Sequence, residues 1–116
     1  MRELTDPANI NNESVQLSLN MYAYRVKKYI GSYVAAMNGL DALVFTAGVG
    51  ENTPELREMI CDNMDFFGIH IDNEKNYSAP RGKEWDITGK DSKVKVYIIP
   101  TNEELVIAKQ TEELIK

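Results

Sequence analysis

Two stretches of this chain carry residue types that can do chemistry. The first is Phe45-Thr46-Ala47-Gly48-Val49-Gly50-Glu51-Asn52, which follows the apolar run Asp41-Ala42-Leu43-Val44 and precedes Thr53-Pro54-Glu55, a helix start. A strand, a tight Gly-x-Gly turn and a helix N-terminus in succession bring bare backbone and unpaired helix N–H groups to the carboxyl end of a strand, where open α/β sheets bind ligands. Gly48 and Gly50 can take positive φ and let a ligand approach with no Cβ in the way. The loop is not Gly-x-Gly-x-x-Gly, since Thr53 stands in the third glycine's place, nor a P-loop, since no Gly-Lys-Ser/Thr follows. Glu51 would set a negative charge beside a phosphate, so the loop suits ribose hydroxyls or a base. A plain strand-to-helix connection, with glycines for tight packing, accounts for the same letters.

The second stretch, Pro100-Thr101-Asn102-Glu103-Glu104-Leu105, repeats the order of strand end, turn and helix start. Thr101 and Glu104 fit a Thr-x-x-Glu capping box, which leaves Glu103 unassigned. A carboxylate in the first turn is favoured by the helix dipole, by about 0.3–1 kcal/mol. It is also suited to a hard cation such as Mg²⁺, directly or through water. If the two preceding strands are parallel neighbours, both helix starts face one crevice, and Mg²⁺ with a nucleotide is its natural occupant.

The elements that must position these corners follow from periodicity. Val15, Leu19, Tyr22, Val26, Tyr29, Ile30, Tyr33 and Met37 predict one buried stripe of a long helix over 13–37, stopped by Asn38-Gly39, with Arg25, Lys27 and Lys28 on a solvated face. Leu43 to Thr46 lacks alternation and predicts a strand buried on both faces. A helix is expected over 53–67, capped by Asn52 or Thr53, with Pro54 in its first turn; it buries Leu56, Ile60, Met64 and Phe67 and ends at Gly68. Residues 69–72 predict a short strand with His70 on its solvent side. Residues 73–93 read as polar and irregular, with a possible strand at 85–88 in which Trp85 covers a core edge. Val94 to Ile99 is a clear strand, ended by Pro100, and the last helix runs over 101–114. Strands joined through a helix imply a parallel pair with a right-handed crossover. So narrow a sheet would ordinarily continue into more strands, so residues 1–116 read as a single partial domain.

Composition sets the class. The chain has 116 residues, 43% apolar and 27% charged, as for one globular domain. A net charge of −5 with no basic block argues against a nucleic-acid or anionic-membrane partner. No apolar run approaches the roughly 20 residues of a membrane span. The opening residues form no signal-peptide pattern, so a cytoplasmic location is expected. Cys61, the only cysteine, can form no internal disulfide and reads as buried and inert. His70, the only histidine, has no catalytic partner in the pattern.

Three separated motifs in order resemble the acetate kinase family. Asp41-Ala42-Leu43-Val44-Phe45-Thr46-Ala47-Gly48-Val49-Gly50-Glu51-Asn52 is similar to the family's Asp-Ala-hydrophobic-Val-Phe-Thr-x-Gly-Ile-Gly-Glu-Asn segment, with Val49 in place of isoleucine. Ile99-Pro100-Thr101-Asn102-Glu103-Glu104-Leu105-Val106-Ile107-Ala108 is similar to its carboxyl-terminal segment, and Arg25-Val26-Lys27-Lys28-Tyr29-Ile30-Gly31 to its long helix. Arg2-Glu3 resembles the end of an Asp-x-Arg segment.

The resemblance implies an α/β fold, part of a ribonuclease-H-like domain of the actin/hexokinase-like ATPases, with parallel strands flanked by helices. It implies transfer of the γ-phosphoryl group of ATP to acetate, giving acetyl phosphate and ADP, in a homodimeric enzyme. It matches Gly48, Val49, Gly50, Glu51 and Asn52 to the adenosine-binding loop, Arg2 to a nucleotide-contacting arginine and Glu103 to a Mg²⁺ site. It places the family's acyl-pocket and catalytic residues upstream of this sequence, so no catalytic residue is expected here and the 116 residues alone are expected to be inactive. A non-catalytic association module, or part of a propionate or butyrate kinase, is the alternative.

Overall fold

The computed structural model describes residues 1–115. After an opening turn, the elements are α1 (Glu13–Met37), β1 (Ala42–Phe45), α2 (Ala47–Asn52), α3 (Pro54–Cys61), a 3₁₀ turn (Asp65–Phe67), α4 (Asn73–Ser78), β2 (Trp85–Asp86), β3 (Lys95–Ile98) and α5 (Glu103–Ile115). Asn12 starts α1 by accepting from the N–H groups of Ser14 and Val15. Asn38, at φ 58°, ends it in the left-handed conformation, and the Gly39 N–H closes on the Val34 carbonyl at 3.0 Å.

The sheet has the order β1-β3-β2. β1 and β3 are parallel, with Ala42 opposite Lys95 and Phe45 opposite Ile98, as two strands joined through helices require. The ladder extends beyond both ends through Lys95 N–H to the Asp41 carbonyl and Ile99 N–H to the Phe45 carbonyl. β2 is antiparallel on the other side of β3, so the sheet is mixed rather than purely parallel. The core gathers Ala23 and Ile30 of α1, Leu56 and Ile60 of α3, Phe45, Val96 and Ile98 of the sheet, and Ile69, Ile71 and Ile87 of the intervening segments.

Several expectations are corrected. The buried line of α1 is Leu19, Ala23 and Ile30, with Val26 and Val34 half-buried beside it. Tyr22, Tyr29, Tyr33 and Met37 are exposed, Tyr33 at 61%. Leu19, Val26 and Ile30 keep the expected face, but its centre turns from the tyrosines toward Ala23 and Val34 by about half of the ~100° step of one residue, because the small Ala23 lets α1 lie close against α3 where a tyrosine would hold it off. Lys27 is half-buried at the edge of the solvated face, and its Nζ donates to the carbonyl of Asp62, the residue that ends α3, at 2.6 Å. β1 is an edge strand with Val44 44% exposed, so it is not buried on both faces.

The helix expected over 53–67 stops at Cys61, and the chain turns through left-handed Asn63 before the 3₁₀ turn and Gly68 at φ 77°. Residues 69–72 form only a single bridge, Ile71 with Thr88, although His70 is exposed as expected. The stretch read as irregular holds α4, started by Asp72, whose Oδ1 accepts from the Lys75 N–H. Cys61 is buried, and burial pushes its thiol up to about 12.

Candidate functional site

The two chemistry-bearing corners lie at the same end of the sheet. β1 and β3 run in one direction and finish opposite each other at Phe45 and Ile98. Beyond them the chain turns into α2 on one side and toward α5 on the other. The corners touch: Glu51 Oε2 accepts from the Thr101 N–H at 3.2 Å and from Thr101 Oγ1 at 3.4 Å.

The Gly-x-Gly segment is a six-residue helix rather than a turn. Its left-handed residue is Ala47, at φ 61°, not either glycine. The glycines serve space instead. A Cβ at Gly48 would meet no heavy atom within 4 Å, whereas one at Gly50 would lie 3.4 Å from the Phe45 carbonyl carbon. Gly50 therefore faces the strand end at contact distance, and Gly48 leaves the backbone bare toward solvent. A cavity of about 510 Å³ lies against this segment, walled by Tyr22 and Val26 of α1, Val44 and Phe45 of β1, and Val49. An apolar wall beside bare backbone suits a flat, partly polar ligand.

On the second corner, the helix cap is Asn102, whose Oδ1 accepts from the Leu105 N–H at 3.0 Å. The expected Thr101–Glu104 capping box is not formed, because the Thr101 hydroxyl is drawn to Glu51 and Asn102 offers a competent acceptor one residue later. Glu103 opens α5, is exposed, and its carboxylate makes no hydrogen bond among the described residues. Among those residues no group of three or more His, Cys, Asp or Glu side chains gathers as a metal cage. One free carboxylate fits Mg²⁺ held mainly by waters and a ligand's phosphates, and fits no all-protein cage. Arg2 is exposed in the opening turn, whose bonds are local: Thr5 Oγ1 donates to the carbonyls of Met1 and Arg2. Asn52 is exposed at the end of α2, its Oδ1 accepting from Arg81 Nε at 3.3 Å.

Sequence reasoning missed what lies behind α2. Arg57 is 2% exposed, although it is charged. Its Nη1 donates to the carbonyls of Gly50 (2.8 Å) and Glu51 (2.9 Å), its Nε to Asn76 Oδ1 (2.7 Å) and its Nη2 to the Asn76 carbonyl (3.0 Å). Burial pushes the guanidinium below the ordinary arginine range, and Glu55 pulls it back. A signal was present. Pro54 has no N–H to offer the Gly50 carbonyl four residues earlier, so that carbonyl needs another donor.

The family model described as the acetokinase family matches residues 1–109. The acetate kinase of Thermotoga maritima is 51% identical over 116 residues, covering 100% of this chain and 29% of that protein. The crystal structure of Porphyromonas gingivalis acetate kinase superposes with a TM-score of 0.80 at 48% identity, over 99% of this chain and 29% of that one. A propionate kinase from Francisella tularensis gives 0.78 at 36% identity, over 93% and 27%. This chain thus spans under a third of the length of the relatives it matches. Its α/β architecture, a mixed sheet flanked by helices, is part of the ribonuclease-H-like fold of these kinases. With relatives about half identical along its whole length and a family model over nearly all of it, the chain belongs to the acetokinase family.

Proposed function

We propose that this chain is the nucleotide-binding, carboxyl-terminal portion of an acetate kinase, which passes the γ-phosphoryl group of ATP to acetate and yields acetyl phosphate and ADP. The observation that carries this reading is the pair of bonds from Thr101 to Glu51, which joins the glycine corner and the carboxylate corner at one end of parallel strands.

Gly48, Val49, Gly50, Glu51 and Asn52 form the adenosine site. Its bare backbone at Gly48 takes ribose or base edges, and the apolar cavity takes the flat face of the purine. Glu51 contributes by tying the loop to Thr101, and Arg2 and Asn52 contact the nucleotide from the rim. Glu103 holds Mg²⁺, directly or through water; when bound, such an ion bridges phosphate oxygens and neutralises their charge. Phosphoryl transfer depends on positioning and charge stabilisation, and this chain's share is to bind and orient the nucleotide. The chain spans 29% of its relatives, so by itself it is expected to give no acetyl phosphate above background. The activity belongs to a longer, cytoplasmic enzyme.

Titration of the 116-residue chain with N-methylanthraniloyl-ADP, with and without Mg²⁺, tests the reading. Binding is expected to be weak and to tighten with Mg²⁺. Glu103→Gln should remove the tightening and leave the Mg²⁺-free affinity unchanged. No binding at millimolar nucleotide, or a Mg²⁺ effect indifferent to Glu103, would overturn the assignment.

Two observations support further readings. The likeness to a propionate kinase supports a longer acyl acceptor, propionate or butyrate, which acceptor competition in the whole enzyme decides. The apolar face of α1, with Met21 and Tyr24 each 64% exposed, supports a homodimer through this face or a purely associative role. Sedimentation of the chain separates monomer from dimer.

A further inference from the structure

The nucleotide loop stands on a buried cation. Gly50 and Glu51 lie in the last turn of α2, where helix carbonyls have no partner within the helix. Pro54 cannot donate to the first of them, and the following helix starts at once. Nη1 of Arg57 supplies both missing donors, at 2.8 and 2.9 Å. A positive charge at a helix C-terminus also complements the dipole.

The remaining guanidinium donors do not face a carboxylate. They face Asn76, 1% exposed on α4, through its side-chain oxygen and its carbonyl. The Asn76 amide is fixed in turn, its Nδ2 donating to the Pro54 carbonyl at 2.9 Å. No buried side-chain polar atom among the described residues is left without a partner. The same segment grips the loop a second time, where Arg81 Nε reaches Asn52 Oδ1. Arg57 lines the cavity beside α2, but it is 2% exposed and each of its three nitrogens donates to protein, so its part is to hold the loop.

We propose that Arg57, held by Asn76, is a positioning residue that sets the conformation of the nucleotide loop, so that α4, remote in sequence, governs nucleotide affinity. This rests on reading Gly48–Asn52 as the nucleotide site. A planar fork is required, because two carbonyls on one side and an amide on the other must be met at once; lysine carries the charge without the fork.

The test uses the full 116-residue chain as wild type, Arg57→Lys, Asn76→Ala and Asn76→Asp. Amide hydrogen exchange is followed at residues 48–53 and, as a reference, at Val96 and Ile98 in β3. N-methylanthraniloyl-ADP affinity is measured in parallel. Arg57→Lys and Asn76→Ala should speed loop exchange at least tenfold with β3 protection retained, and weaken nucleotide binding by a similar factor. Asn76→Asp keeps an oxygen for Arg57 Nε but loses the donor to the Pro54 carbonyl, so its loop exchange should fall between wild type and Asn76→Ala. Unchanged loop exchange in the first two variants would overturn the proposal. So would equal loss of protection in loop and β3 in both variants, since Arg57 would then serve the fold as a whole. If wild type binds no nucleotide but loop exchange responds as expected, the functional assignment fails while the clamp on α2 stands.

Discussion

Replacing Gly48 by alanine should stabilise the chain and weaken nucleotide binding in the same variant. Gly48 sits inside α2, does not adopt positive φ, and has no heavy atom within 4 Å of where a Cβ would stand. Alanine therefore fits the folded backbone, and a glycine-to-alanine change within a helix gains about 0.5–1 kcal/mol. For a chain of this size that corresponds to a rise in Tm of about 2–4 °C. The added methyl enters the open space in front of the loop, where the ligand must come close to backbone. Overcrowding a fitted contact costs about 1–3 kcal/mol, which at about 1.4 kcal/mol per tenfold is roughly a 5- to 140-fold weaker Kd. Thermal melts by circular dichroism and titration with N-methylanthraniloyl-ADP read the two effects. Gly50→Ala is the control, because its Cβ would rest in contact with Phe45 at 3.4 Å and not in the open space in front of the loop. A higher Tm with an unchanged Kd would show that no ligand approaches Gly48, and the reasoning that places the nucleotide there would fail.

Ala47→Gly should stabilise by about 0.5–1 kcal/mol in urea unfolding, since the about 1–2 kcal/mol of left-handed strain it relieves outweighs the about 0.4–1 kcal/mol lost to added unfolded-chain entropy; a loss would mean that the methyl's packing outweighs the strain. Gly89→Ala should destabilise by about 1–3 kcal/mol, because a Cβ there would lie 2.8 Å from the His70 carbonyl oxygen, which already accepts from the Gly89 N–H; an unchanged urea midpoint would contradict this. The buried Cys61 thiol holds its proton up to about 12, so the folded chain binds a proton that the unfolded chain releases above about 8.5. Stability is therefore full below about pH 8.5 and falls toward pH 12, by at most about 1.4 kcal/mol per pH unit from this group. Burial and the hydrogen bond to Glu58 raise Tyr77 as well, in the same alkaline direction. Urea melts from pH 8 to 10.5 should show a shallower decline in Cys61→Ala than in wild type, and equal slopes would refute the cause.

What was legible in the sequence was what a local rule dictates. The bounds of α1 follow from an asparagine that caps and an asparagine that turns left-handed, both readable without tertiary context. The parallel pairing of β1 with β3 follows from the helical crossover between them. The meeting of the two corners follows from that pairing, and the structure brings them within a hydrogen bond, Glu51 to Thr101. The rotation of the α1 stripe was not legible, because tyrosine and alanine are both admissible at the face and the neighbour decides. At 23 the neighbour is α3, and the smaller side chain goes inward. The Thr101–Glu104 box failed for a similar reason: the hydroxyl had a second suitor some fifty residues away.

Arg57 marks the limit of pattern reading in the site itself. By type it belongs on the surface, and only Leu56 and Ile60 beside it signal a buried helix face. Its burial becomes intelligible once the backbone is counted, because α2 ends at Asn52 with the Gly50 and Glu51 carbonyls open, and Pro54 has no N–H for the first of them. A guanidinium there satisfies both and needs acceptors on its far side, which a carboxylate could supply only by adding a second buried charge. Asn76 meets that need as a neutral amide whose own N–H is taken by the Pro54 carbonyl. The resulting chain runs from α4 through Arg57 to Gly50, so the geometry of the glycine corner depends on α4, a helix that reads as a polar loop in the sequence. If Asn76→Ala left the loop amides as protected as in wild type, that dependence would be absent and α2 would hold its shape from Phe45 and Thr101 alone.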